Sequence, residues 1–139
     1  KISNVYETYS WPNKNHPKFY NIVIKVLTKL SPTKLFIKIK GIEKTLGRKI
    51  SKINTPRVCD IDILDYNKKC YNLKSKNHSI IIPHPRAIER DFVLFPLCDI
   101  DPFFCHPMSR KPIKLLKQEV KKIYIKKKIT QPKGSFVIH

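Results

Sequence analysis

"CDIDILDY", residues 59–66, is the stretch on which the reading turns. It sets Asp60, Asp62 and Asp65 among the apolar Cys59, Ile61, Ile63 and Leu64, in a chain with 10 acidic residues against 29 basic ones. The alternation predicts a strand over residues 57–64. Side chains alternate between the faces of a strand, so Asp60 and Asp62 share one face, roughly 6.5–7 Å apart along the backbone. Val58 and Leu64 flank them, and Cys59, Ile61 and Ile63 point the other way, into the core. Two carboxylates fixed so close repel each other, and burying them unpaired is costly. A cation between them relieves both problems. Ligands that are all oxygen favour Mg²⁺, which takes one or two carboxylates and fills its other positions with substrate phosphates and water. The bland account is a solvated strand face, salt-bridged to the many lysines.

The neighbourhood sharpens this. Arg57 precedes the acidic pair, and "IIIPHPRAIERDFVLFPL", residues 80–97, brings His84, Arg86 and Arg90 just after an apolar strand. Cations beside a metal-carboxylate pair suit phosphoryl transfer, where charge on the moving phosphate must be neutralised. Taken singly, His84 reads as an ordinary loop histidine; the combination carries the argument.

Bulk properties bound the rest. A chain of 139 residues suits one domain with a modest core. Hydrophobic content of 41% and aromatic content of 10% indicate a folded protein. No apolar run approaches the roughly 20 residues of a membrane span, and no secretory signal is visible, so a cytoplasmic protein without a membrane partner is expected. The sequence opens on Lys1 within strand-like residues, and it is expected to lack its N-terminal part. The net charge of +19 points to nucleic acid, an anionic surface or polyphosphate. Against nucleic acid, lysine outnumbers arginine 24 to 5, as compositional bias produces, and the charge is spread along the chain, with one dense run at Lys121–Lys128. The cysteines Cys59, Cys70, Cys98 and Cys105 form no CxxC pair, which argues against a zinc site. Free thiols of an intracellular protein are the expected reading.

Along the chain, residues 3–9 and 19–28 read as strands, and 11–17 as a loop. Ser31-Pro32 starts a helix, with Leu35, Ile39, Ile42 and Leu46 on one face and Gly47 ending it. Residues 48–56 and 74–78 read as loops, 79–83 as a short strand and 92–97 as an apolar segment. Pro112 opens a last amphipathic helix with Ile113, Leu116, Val120 and Ile123 on one side. The interleaving predicts an α+β sandwich with a mostly antiparallel sheet. A domain over 1–125 and a basic, mobile tail over 126–139 are expected.

These segments together resemble the 6-hydroxymethyl-7,8-dihydropterin pyrophosphokinase family from about Val5 to Pro102. The resemblance rests on "VYET" (5–8), "HPKFYN" (16–21), "SPTKL" with "IEKTLGR" (31–48), "PRVCDIDILDY" (56–66), "IPHPRAIERDFVLFPL" (82–97) and "DIDP" (99–102), in family order and at family intervals. It implies a ferredoxin-like α+β fold and the transfer of pyrophosphate from ATP to the hydroxymethyl oxygen of the pterin, a step of folate biosynthesis that releases AMP. It implies that Asp60 and Asp62 hold two Mg²⁺ ions, and that Arg57, His84 and Arg90 contact the ATP phosphates and steady the transferring charge. Glu43, Arg48 and Ile63 fall at the nucleotide site. Asn21 matches the residue that reads the pterin edge, Thr8 lies at a backbone contact to it, and Phe19 and Phe92 match the aromatic pair that sandwiches the ring. Trp11 sits in the pterin-side loop. A flat heterocycle between aromatic faces, read by a few polar groups, is physically coherent. Without the resemblance, Phe19 and Phe92 are ordinary core residues.

The departures are specific. The family's opening Gly-Ser-Asn strand and its helix are absent from these residues. Ile50 stands where relatives have a second arginine, and Asn54-Thr55 where they have Trp-Gly. Lys49 and Lys52 supply point charges there, not guanidinium forks. Pro85 follows His84 where relatives often carry an aromatic or polar residue. A catalytically impaired, basic nucleic-acid-binding relative is the rival expectation. A monomer is expected, and fusion to a neighbouring folate enzyme finds no start in the last residues.

Overall fold

The computed structural model describes residues 1–10, 17–47, 59–75 and 78–130. The expected loop at 48–56 and all of the expected loop at 11–17 except Pro17 lie outside them, as do Trp11, Arg48 and Arg57. The chain is mixed α/β with antiparallel sheets and three α-helices among the described residues, and it divides into two compact units.

The first unit comprises Lys1–Val26, Ile88–Cys105 and the chain from Lys111 on. Its sheet has the order β2-β1-β5, with β1 at Val5–Thr8, β2 at Phe19–Asn21 and β5 at Ile125–Ile129. Both pairings are antiparallel: Tyr6 faces Asn21 and Thr8 faces Phe19, while Val5 faces Ile129 and Thr8 faces Ile125 across an irregularity at Glu7. The predicted strand over 19–28 therefore stops at Asn21, with a single further bridge from Ile24 to Ile2. Helix α2, Asp91–Ile100, packs on β1 and β2 and against α3, Ile113–Glu119. Leu94, Phe104, Ile113 and Leu116 form the core between those helices. Burial of four such side chains contributes roughly 1.5–3 kcal/mol each.

Three expectations change here. "FVLFPL" is helical. An apolar run six residues long has no period to distinguish a buried strand from a buried helix, and Pro96 sits inside the helix. The last helix ends at Glu119; Val120 turns extended, and Ile123 lies beyond the helix and half exposed. Residues 126–129, expected in a mobile tail, belong to β5. Asp99 explains how a lysine-rich strand stays there: its Oδ1 accepts from Lys128 Nζ at 3.0 Å, and its Oδ2 from Asn4 Nδ2 at 2.8 Å and Tyr6 Oη at 2.9 Å. One carboxylate thus ties α2, β1 and β5 together.

The second unit comprises Leu27–Ala87 and His106–Arg110. Helix α1, Pro32–Thr45, begins as expected: Ser31 Oγ accepts from Lys34 N at 3.4 Å, with Pro32 at the first position. Gly47 closes it with φ of +92°, a conformation that favours glycine. The buried face is rotated from the expected one. Ile39 and Glu43 are buried, Leu35 is half-buried, and Ile42 and Leu46 are exposed. A hairpin joins β3, Tyr71–Ser75, to β4, His78–Ile82; the first of these strands had no sequence signal, since "YNLKS" lacks a β-branched residue. Residues 59–65 belong to no strand. The predicted strand over 57–64 lacks a hydrogen-bonded neighbour among the described residues, yet its alternation survives: Asp60 and Asp62 are exposed while Cys59, Ile61 and Ile63 are partly buried.

Candidate active site

In the second unit, the acidic segment is supported from behind by α1. Glu43 is fully buried, yet charged partners surround it. Its Oε1 accepts the Ile61 backbone N–H at 2.8 Å, and its Oε2 accepts from Lys40 Nζ at 2.8 Å. Burial pushes its pKa up, but the Lys40 ammonium and the Ile61 N–H outweigh that and hold it below the usual range. Helical spacing makes the pair possible, because residues three apart on a helix are surface neighbours.

In front of the segment lies a cleft of about 280 Å³, lined by Phe36 and Lys40 of α1, by Ile61, Asp62 and Ile63, by Ser79, Ile80 and Ile81 of β4, and by His84 and Pro85. His84 Nε2 stands 3.8 Å from Asp62 Oδ2. His84 Nδ1 accepts the Arg86 backbone N–H at 3.1 Å, so the ring hydrogen sits on Nε2 and faces the carboxylate side. Lys40 Nζ lies 5.1 Å from the Phe36 ring centre. The cleft therefore joins an aromatic and aliphatic wall to a cation, an imidazole donor and a carboxylate. Among the described residues, no three His, Cys, Asp or Glu side chains cluster as a metal cage. Asp60 and Asp62 offer hard oxygen donors on the exposed side of one backbone segment, which fits a divalent ion whose remaining positions go to phosphate and water.

The first unit holds the other residues marked by the sequence. Thr8 is buried on β1, and its Oγ1 accepts from Asn21 Nδ2 at 2.9 Å. Phe19 lies beside them on β2, paired with Thr8. Arg90 precedes α2, and its guanidinium carbon lies 5.7 Å from the Phe92 ring centre. Phe92 is partly buried and meets Tyr124 edge to face. The structure thus gathers Asp62, Ile63 and His84 around one cleft, with Glu43 behind the segment and outside the lining. Thr8, Phe19, Asn21, Arg90 and Phe92 fall in the other unit.

Sequence reasoning missed Lys40, Phe36, Asp91 and Tyr124. Lys40 had a signal, its place three residues before Glu43. Asp91 had one too, as an acid placed between Arg90 and Phe92. Tyr124 had none, because its contact to Phe92 spans the chain.

A sequence profile described as 7,8-dihydro-6-hydroxymethylpterin-pyrophosphokinase matches residues 1–102. A protein of Aquifex aeolicus named 2-amino-4-hydroxy-6-hydroxymethyldihydropteridine pyrophosphokinase is 43% identical over 119 residues, which cover 86% of this chain and 72% of that protein. The Bacillus subtilis protein of the same name is 37% identical over 100 residues, covering 72% of this chain and 58% of its own length. The folic acid synthesis protein fol1 of Pneumocystis carinii is 44% identical over 109 residues, which cover 78% of this chain but 14% of that much longer protein. On a match that takes in most of its length, the chain belongs to the 7,8-dihydro-6-hydroxymethylpterin-pyrophosphokinase family.

Proposed function

We propose that the protein transfers the terminal pyrophosphoryl group of ATP to 6-hydroxymethyl-7,8-dihydropterin in folate biosynthesis. The hydroxymethyl oxygen forms a bond to the β-phosphorus and loses its proton, the bond from the β-phosphorus to the oxygen bridging it to the α-phosphate breaks, and AMP leaves with that oxygen. The observation that carries this reading is the cleft of the second unit, where Asp62 and His84 face each other at 3.8 Å beside Phe36 and Lys40. A flat base suits the Phe36 and isoleucine wall, and phosphates suit Lys40 and the Nε2–H of His84.

Asp60 and Asp62 would hold Mg²⁺, two ions on the family pattern, which when bound neutralises phosphate charge and orients the triphosphate. Glu43 keeps the Asp60–Asp62 backbone in place through Ile61. Thr8 and Asn21 present polar groups to the pterin edge, and Phe19 and Phe92 present faces to its ring. Arg90, along with Arg48 and Arg57 outside the described residues, supplies cations for the transferring group. Positioning and fixed charge do the chemistry, with no covalent intermediate on the protein. The reading carries with it the family's ferredoxin-like sandwich and a monomeric, cytoplasmic enzyme, in a domain that takes in β5 to Ile129 rather than ending at 125. No helix of the described residues is long and apolar enough to cross a membrane.

The test is calorimetric titration with a non-hydrolysable ATP analogue. Saturable binding is expected with Mg²⁺ and not in a chelator, and Asp60→Asn and Asp62→Asn each weaken it by at least about tenfold, the scale of one lost charged contact. Equal binding with and without the ion speaks against the assignment.

A further inference from the structure

Beneath Phe92 lies a support that the reaction scheme does not use. Asp91 is fully buried at the start of α2. Its Oδ2 accepts the backbone N–H groups of Tyr124 and Ile125, each at 2.7 Å, and its Oδ1 accepts that of Phe92 at 2.8 Å. One buried carboxylate so fixes three amides, two of them 33 and 34 residues further along the chain. Tyr124, 6% exposed, stands edge to face with Phe92, the ring centres 6.3 Å apart and the planes at 87°. The Tyr124 carbonyl accepts the Tyr9 N–H at 3.0 Å, and Ile125 pairs with Thr8 on β1. The Tyr124–Ile125 dipeptide therefore touches both Phe92 and the strand of Thr8. It lies past residues 1–102, the part that matches the family profile.

We infer that Tyr124 is a positioning residue for the pterin ring: its edge-to-face contact sets the tilt of Phe92, and Asp91 locks Tyr124 in place. The inference rests on the proposed function, in which Phe92 is a stacking face. The outer torsion of a phenylalanine is broad and soft, so a ring free to tilt makes a poor platform. A flat heterocycle stacking on it would have to freeze that motion on binding, which lowers affinity. A perpendicular neighbour held by two backbone hydrogen bonds removes the freedom beforehand. Tyr124 contacts Phe92, Asp91 and Tyr9, so its influence is expected on the pterin.

The test compares the full chain with Tyr124→Leu and Tyr124→Phe in steady-state assays of AMP formation, varying the pterin and ATP separately. Tyr124→Leu is expected to raise KM for the pterin about three- to tenfold, the scale of one lost ring contact, with KM for ATP within about twofold of wild type. Tyr124→Phe, which keeps the ring, recovers most of the pterin affinity. If Tyr124→Leu fails to fold by circular dichroism, Tyr124→Met, which keeps more of the buried volume, takes its place in the comparison. A pterin KM unchanged, or pterin and ATP KM values raised alike, overturns the inference while leaving the function standing. A wild-type chain that neither binds nor consumes the pterin overturns the proposed function, and this inference with it.

Discussion

Glu43 Oε1 accepts the backbone N–H of Ile61 at 2.8 Å, joining the middle of α1 to the segment between the two aspartates. A fully buried carboxylate is expensive unless its partners satisfy it, and Lys40 and Ile61 do so here. The acidic segment has no strand neighbour among the described residues, so this bond takes over part of what a sheet ladder would otherwise do.

Removing that support has a defined consequence. Glu43→Ala strands the Ile61 amide and the Lys40 ammonium and lowers stability by about 2–4 kcal/mol. Glu43→Gln keeps an acceptor for Ile61 but gives up the ion pair, and costs about half as much. Urea unfolding of both variants checks this. Equal stability of the wild type and Glu43→Ala contradicts it.

A stabilising change is expected in the turn that follows. Lys69 N donates to Tyr66 O at 3.2 Å, and the two residues between, Asn67 and Lys68, have φ of 53° and 56°. Positive φ at both central positions is the type I′ turn, which favours Asn-Gly, and a lysine there is strained by its Cβ. Lys68→Gly should raise stability by about 0.5–1 kcal/mol, read as a higher urea midpoint. A lower midpoint rejects the turn assignment.

Acid should weaken the fold in two steps. Burial lowers the pKa of His106 from 6.5, against the pull of Asp65, and Nδ1 accepts the Ser109 N–H at 3.1 Å. The fold thus favours the neutral ring, so this contribution is complete above 6.5 and is lost as pH falls through the lowered value. Asp99 behaves alike lower down. Burial raises its pKa, but Asn4, Lys128 and Tyr6 outweigh that and leave it below 3.8, so its contribution is complete above 3.8 and is lost beneath it. The melting temperature should therefore fall between pH 7 and 5, then again below 4. His106→Gln should flatten the first step and Asp99→Asn the second. A melting temperature constant from pH 7 to 5 counts against the buried neutral histidine.

What the sequence disclosed follows the range of the interactions involved. Ser31-Pro32 and Gly47 punctuate α1 through contacts within one helical turn, so its limits were legible. The exposure of Asp60 and Asp62 was legible too, because the polar and apolar positions alternate along the segment whether or not it pairs. The register of α1 was not: Ile42 and Leu46 look like core residues, and only the Ile61 amide and Lys40 explain why Glu43 is buried in their place. "IKKKI" reads as a solvated tail until β1 and Asp99 give it a place in a sheet. Thr8, Phe19, Asn21 and Phe92 stood out through family resemblance, whereas Asp91 and Tyr124 needed coordinates.

The most direct test of the central claim is AMP release from ATP by the full chain, with and without 6-hydroxymethyl-7,8-dihydropterin, in Mg²⁺ and in chelator. The account predicts release that requires both the pterin and Mg²⁺, and that falls at least about a hundredfold in Asp62→Ala, the scale of a lost phosphate-neutralising group. Release by Asp62→Ala at the wild-type rate, or release indifferent to the pterin, contradicts it.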